Sequence, residues 1–175
     1  YQRLLEVCPL WLRRIVIMAR GTGMRQGEIL KLHRTDVDLK TGFVRLKASM
    51  TKTDEARSVR LLPEVTAMLR EIPRALHSQQ VFLSAMNKPI PYWTTYVQKT
   101  WKRSPEKAGI KGACFHDLRH DFVTGAMRGG NASHIVMKQV GHETDSMLRR
   151  YQLIDERDLL ELQINPLVTT QDQNR

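Results

Sequence analysis

FVRLKASMTKTDEARSVRLL, residues 43–62, is where the apolar period of the chain changes from helical to two. Phe43, Arg45 and Lys47 alternate with Val44, Leu46 and Ala48. RSVRLL then resumes the alternation after the polar link SMTKTDEA, so the two runs read as an antiparallel hairpin. Lys52 falls in or beside the turn. VFLS, residues 81–84, reads as a short third strand. The hairpin separates an α+β fold, mainly α-helical with a small antiparallel sheet, from an all-helical one.

The flanks are helical. PLWLRRIVIMAR, residues 9–20, spaces Trp11, Ile15 and Met18 at i, i+4 and i+7, which predicts an amphipathic helix ending at Gly21. A second short helix is expected from Arg25 to about His33, with Ile29, Leu30 and Leu32 as its apolar side. Pro63 suits the first position of a helix in PEVTAMLREI. Further helices are expected in YWTTYVQKTWKRSPEKAGI, in HDLRHDFVTGAMR ending at Gly129 and Gly130, and in ASHIVMKQV ending at Gly141. A short segment then reaches Tyr151, and Leu159, Leu160, Leu162 and Ile164 suggest a tail helix.

At 175 residues with 41% hydrophobic content, one well-packed domain is the expectation. IVIMA after Arg14 is broken by Arg20 and Gly21, far short of the roughly 20 apolar residues that span a bilayer. The sequence opens in a helical pattern at Tyr1 without an initiator Met, which suggests part of a longer protein. Cys8 and Cys114 lack metal or redox spacing and suit a reducing cytoplasm.

The formal net charge of +10 is unevenly spread. Residues 1–150 hold 26 Lys and Arg against 13 Asp and Glu, whereas 151–175 hold 2 against 5. A basic body with an acidic tail favours a polyanionic partner, of which nucleic acid is the commonest.

HDLRH, residues 116–120, poses a choice between a metal and a phosphate. His116 and His120 lie one turn apart on a helix, the spacing of H-E-x-x-H zinc sites. Asp117 is a methylene shorter than the Glu such a site uses. Arg119 shares the same face, within roughly 100° of helix circumference. A permanent cation opposes a divalent metal but suits a phosphate, whose paired oxygens match a guanidinium. TGMRQGEIL adds Arg25 after a Gly-x-Gly turn at a helix start, with Glu28 one turn on to hold its guanidinium. TKT gives Lys52, and VGHETDSMLRRYQ gives His142 nine residues before Tyr151.

In this order these pieces resemble the tyrosine recombinases, the phage-integrase type of site-specific recombinase. The resemblance spans nearly the whole chain and needs Arg25, Lys52, His116, Arg119, His142 and Tyr151 together. Gln26 and Asp121 stand where an apolar residue and a Thr are expected, and VGH replaces LGH; none of these removes a chemical group.

The resemblance implies the catalytic domain of a DNA breaking and rejoining enzyme. Tyr151 attacks the scissile phosphate to give a 3'-phosphotyrosyl link, Arg25 and Arg119 clamp the non-bridging oxygens, His116 and His142 handle protons and bond the transition state, and Lys52 protonates the leaving 5'-oxygen. Glu28 and His120 support. No metal or other cofactor is implied. The partners implied are double-stranded DNA, a homotetramer on that DNA formed from a monomer in free solution, and accessory DNA-bending proteins. The setting is a bacterial or phage-infected cytoplasm, at the nucleoid. Residues 156–175 would dock on a neighbouring subunit, and an amino-terminal core-binding domain would be absent from this chain. Lys99, Lys102, Arg103 and Lys107 recur at helical spacing beside Trp93 and Trp101, either as a phosphate-contacting face or as a solvated face over core tryptophans. The alternatives are a type IB topoisomerase-like enzyme and a non-catalytic DNA-binding module on the same fold.

Overall fold

The computed structural model describes residues 1–51, 55–90 and 95–141. In chain order the elements are α1 (Gln2–Val7), α2 (Leu10–Thr22), α3 (Gln26–Leu30), β1 (Val37–Asp38), β2 (Phe43–Leu46), β3 (Arg57–Arg60), α4 (Pro63–Glu71), α5 (Thr95–Lys107), α6 (Asp117–Arg128) and α7 (Ser133–Val140). The expected α+β class holds: a helical body carries one small antiparallel sheet.

The hairpin forms where the alternation placed it. Val44 faces Val59 and Leu46 faces Arg57 across β2 and β3. Val44, Leu46 and Val59 are buried, while Phe43, Arg45, Ser58 and Arg60 are exposed on the other side. One face of the sheet therefore closes the core, as period two requires.

The third strand differs from expectation. It is Val37–Asp38, pairing with β2 to give the order β1-β2-β3, and two residues are too few to show a period. Residues 81–84 are not a strand: Leu83 makes an isolated bridge to Pro89, and the Val81 amide donates to the Leu32 carbonyl at 2.9 Å. Neighbouring Val81 and Phe82 are both buried. Such a segment is enclosed on both sides and does not lie half-exposed on a sheet.

Helix α2 is the hub, with α4 and α6 packed against it and Leu12, Ile15, Val16 and Met18 wholly buried. It runs past Gly21, where an end was expected, and stops at Gly23. Gly21 is a contact residue: a Cβ there would collide with Val65 Cγ2 of α4. Gly23, at φ 67°, adopts the left-handed turn that caps the helix. Helix α3 is also shorter than expected, ending at Leu30 ahead of a 3-10 turn at Arg34–Asp36. Pro63 opens α4 as its sequence position indicates. A small second cluster of Val123, Val136 and Val140 joins α6 to α7. Among the described residues no helix is long and apolar enough to cross a membrane.

Candidate active site

Two distant sequence motifs meet at the turn between α2 and α3. Gly23 lies against α6 and α7 so closely that a Cβ there would sit 2.6 Å from Phe122 and 2.7 Å from Val140. Its carbonyl accepts a hydrogen bond of 2.5 Å from Arg119 Nη1 of α6. Arg119 is 2% exposed, so this cation is held inside the protein wall two residues from Arg25.

Arg25 is the N-cap of α3. Its Nη1 donates to Glu28 Oε1 at 3.2 Å, its backbone N–H donates to Glu28 Oε2 at 2.9 Å, and its Nη2 donates to the Gly141 carbonyl at 2.9 Å. Glu28 does hold this guanidinium, as its position one turn on suggested. Its stronger partner, however, is Arg57 of β3, with Nη1 to Oε1 at 3.0 Å and Nη2 to Oε2 at 2.7 Å. Burial pushes the Glu28 carboxyl up, but the bonds and charge of Arg57, then those of Arg25, outweigh it and hold the group below its ordinary value.

Sequence reasoning missed Arg57. The signal was available: Arg57 stands two residues before inward Val59, so period two turns it inward as well. An inward arginine needs a buried acid, and Glu28 is one.

His116 is the N-cap of α6. The turn before the helix is closed by Asp117, which accepts the Cys114 N–H at 2.7 Å and the Cys114 thiol at 3.0 Å. The His116 and His120 rings meet edge to face, 4.9 Å between centroids. Burial, then the charges of His120 and Arg119, lower the His116 pKa; Asp117 opposes them and Arg25 adds to them. The influence of Arg25 places His116 in the same electrostatic neighbourhood as both arginines. Among the described residues no three His, Cys, Asp or Glu side chains are grouped to share a metal ion.

The end of α7 is fixed beside this cluster. Gln139 donates from Nε2 to the carbonyls of Thr22 and Arg60 at 3.1 and 3.0 Å and accepts the Arg60 N–H at 2.9 Å. Gly141, at φ 69°, leaves room for Arg57: a Cβ there would lie 2.9 Å from Arg57 Cζ.

Lys52, His142 and Tyr151 lie outside the described residues, as do Trp93 and the proposed tail segment 156–175. Lys47, the other lysine near the hairpin turn, pairs with Asp36 at 3.8 Å. Thr51, beside Lys52, is buried with its hydroxyl 3.0 Å from both the Ala48 and Glu55 carbonyls. Of the described tyrosines, Tyr1 is pushed up to about 12 by burial and then by Glu64, which disfavours its phenolate. The unexpected Asp121 forms a 2.6 Å ion pair with Arg20.

Lys99, Lys102, Arg103 and Lys107 are all exposed along one side of α5. Val97, Trp101 and Ala108 are buried on the other, and Trp101 meets Phe115 edge to face at 5.1 Å. Trp101 is thus a core residue.

Arg25 and Arg57 share the Glu28 carboxylate, Arg119 is anchored at the Gly23 carbonyl two residues before Arg25, and the charges of Arg25 and Arg119 both act on His116. Together they make an anion-seeking surface with donors from three parts of the chain.

A profile described as the phage integrase family matches residues 1–157. The integrase of Salmonella phage P22 is 26% identical over 159 residues, covering 86% of this chain and 41% of that protein. The crystal structure of XerA recombinase superposes with a TM-score of 0.75 at 23% identity, covering 91% of this chain and 60% of that one. A lambda integrase dimer bound to a COC' core site gives a TM-score of 0.69 at 20% identity, over 95% and 49% of the two chains. The chain spans less than two thirds of the length of each of these relatives.

Proposed function

The chain belongs to the phage integrase family, and on that premise we propose that it is the strand-cutting part of a site-specific DNA recombinase. The observation that carries this reading is the meeting of Arg119 with the Gly23 carbonyl at 2.5 Å, which seats one phosphate-binding arginine beside the turn that bears the other. The DNA-bound state of the lambda integrase relative supports duplex DNA as the substrate.

The chemistry follows from conserving bond energy. Tyr151 Oη attacks the scissile phosphorus and the P–O5' bond breaks, leaving a 3'-phosphotyrosyl ester and a 5'-hydroxyl. A phenol with pKa of about 10 is mostly protonated at neutral pH, so its proton needs an acceptor. His116 and His142 serve proton transfer and bonding to the transition state, and Lys52 delivers a proton to O5'. Arg25 and Arg119 stabilise the charge that builds on the non-bridging oxygens. Attack by a partner strand's 5'-hydroxyl reverses the sequence and expels Tyr151, so no external energy source is consumed. His120 supports His116 through their edge contact. Four subunits would act together on DNA, with residues 156–175 docking between them and DNA-bending proteins assisting.

The test is incubation with a labelled, nicked suicide duplex in EDTA beside a Tyr151→Phe control. An SDS-resistant protein-DNA adduct absent from the control is the expected result. No adduct on any family-type site would reject strand cutting. Relaxation of supercoiled plasmid without strand exchange would move the reading to a type IB topoisomerase.

A further inference from the structure

Glu28 offers two carboxylate oxygens, and each accepts two donors. Oε1 takes Arg25 Nη1 at 3.2 Å and Arg57 Nη1 at 3.0 Å, while Oε2 takes the Arg25 backbone N–H at 2.9 Å and Arg57 Nη2 at 2.7 Å. A carboxylate has about four lone-pair sites, so this one is saturated. The paired, shorter contacts belong to Arg57; Arg25 keeps one side-chain contact to the acid and spends its Nη2 on a neutral carbonyl, that of Gly141. Arg57 is also the more enclosed, with 8% of its side chain exposed against 22% for Arg25.

Charge balance gives this arrangement a purpose. Two guanidiniums share one carboxylate, so the trio carries a net positive charge. With Arg57 gone, the same buried carboxylate, which in the intact trio makes one side-chain contact with Arg25, is free to close on it in a two-point pair and neutralise it. Arg57 also touches the end of α7, donating from Nε to the Gln139 carbonyl at 3.4 Å and lying against Gly141. It thus borders both Arg25 and the peptide that leads to His142.

We infer that Arg57 is a positioning residue: it occupies Glu28 so that the Arg25 guanidinium stays open to a phosphate, and it fixes the Gly141 turn that Arg25 leans on. This rests on the recombinase reading for its consequence in strand cutting. The charge arrangement itself does not.

The experiment compares wild type with Arg57→Met, Arg57→Lys and the double variant Glu28→Gln/Arg57→Met, each checked for folding by circular dichroism. Adduct formation on the nicked suicide duplex is followed at saturating protein, with DNA affinity measured separately by anisotropy. Arg57→Met should slow adduct formation by about 10- to 100-fold, the scale for weakening one transition-state cation, with affinity changed by less than about threefold. Arg57→Lys should fall between it and wild type. The double variant should recover about tenfold over Arg57→Met, because an uncharged amide at position 28 leaves Arg25 its charge. A purely structural Arg57 predicts the opposite, a double variant no faster than the single one. That outcome, or a wild-type rate in Arg57→Met, overturns the inference. If Arg57→Met does not fold, Arg57→Lys against Glu28→Gln/Arg57→Lys makes the same comparison.

An independent readout separates this inference from the function it rests on. The Arg25 Nε–H NMR signal is titrated with inorganic phosphate in each variant. It should respond in wild type and in the double variant, and respond much less in Arg57→Met. If wild type forms no adduct, the recombinase reading fails and this titration alone decides the role of Arg57; equal responses in all variants would then end it.

Discussion

Arg119 and Gly23, 96 positions apart, share a hydrogen bond of 2.5 Å. The Gly23 carbonyl needs a partner because the left-handed turn takes it out of the α2 ladder, and α6 supplies one from a side chain that is 2% exposed. The peptide that ends one helix thereby sets the depth of a cation on another. Displacement of either residue shifts both arginine-bearing motifs.

Arg119→Ala leaves that carbonyl without this donor, so it should lower unfolding free energy by about 1–3 kcal/mol in urea titrations. Adduct formation should fall by about 100-fold or more, beyond what the stability loss explains at a temperature where the variant is folded. A variant that cuts DNA at the wild-type rate would remove Arg119 from the phosphate clamp.

Gly23→Ala tests the turn itself. The new Cβ meets Phe122 and Val140 within 2.7 Å and must adopt φ 67°. The left-handed conformation costs roughly 1–2 kcal/mol and overpacking roughly 1–3 kcal/mol, so a destabilisation of about 2–5 kcal/mol is expected by chemical denaturation. A change below about 1 kcal/mol would mean that the contact yields freely.

The depressed Glu28 carboxyl makes stability depend on acid. The unfolded chain binds this proton at about pH 4.3 and the folded chain only below that, so the contribution is full above the unfolded value and is lost as pH falls through the folded one. Glu28→Gln should flatten the acid limb of the stability curve below about pH 4. An unchanged acid limb would place the titration elsewhere.

Burial, and then the charges of His120 and Arg119, lower the pKa of His116 below that of an ordinary imidazole. A bound phosphate reverses the sign of its surroundings, so DNA should raise this pKa. Binding then takes up a proton and tightens as pH falls between the DNA-bound and free values. NMR titration of His116 with and without duplex checks this, and an unmoved pKa would put the phosphate out of its reach.

The basic side of α5 separates two roles by salt. Replacing Lys99, Lys102, Arg103 and Lys107 one at a time with Gln should reduce the slope of log affinity against log salt by about 0.9 for each lysine or arginine that neutralises a phosphate. Slopes equal to wild type would leave the face as solvated cover for Trp101.

Legibility followed the length and regularity of the signal. The hairpin could be read because Val44, Leu46 and Val59 alternate with exposed residues on an amphipathic sheet. The β1 strand could not, since Val37–Asp38 is shorter than one period. The end of α2 was displaced by two residues because Gly21 and Gly23 look alike in sequence, yet one admits Val65 and the other turns the chain. For the candidate site, motif spacing singles out Arg25, Glu28, His116 and Arg119; in the described structure Glu28 holds Arg25 and Arg119 reaches the turn that precedes it. Arg57 escaped because its partner lies 29 residues away on another element; the alternation of β3 announces an inward cation without naming what it meets.

The Gln139 amide has a role apart from the cluster it borders. Among the described residues β3 is an edge strand, and across from β2 the amide both accepts from the Arg60 N–H and donates to the Arg60 carbonyl. One side chain thereby fills the two-point pairing position of a further strand. At Arg60 the sheet is closed to strand addition by another chain, a form of protection against edge-to-edge association that uses no extra backbone. Growth of this sheet at that edge, in an assembly or an aggregate, must first displace Gln139.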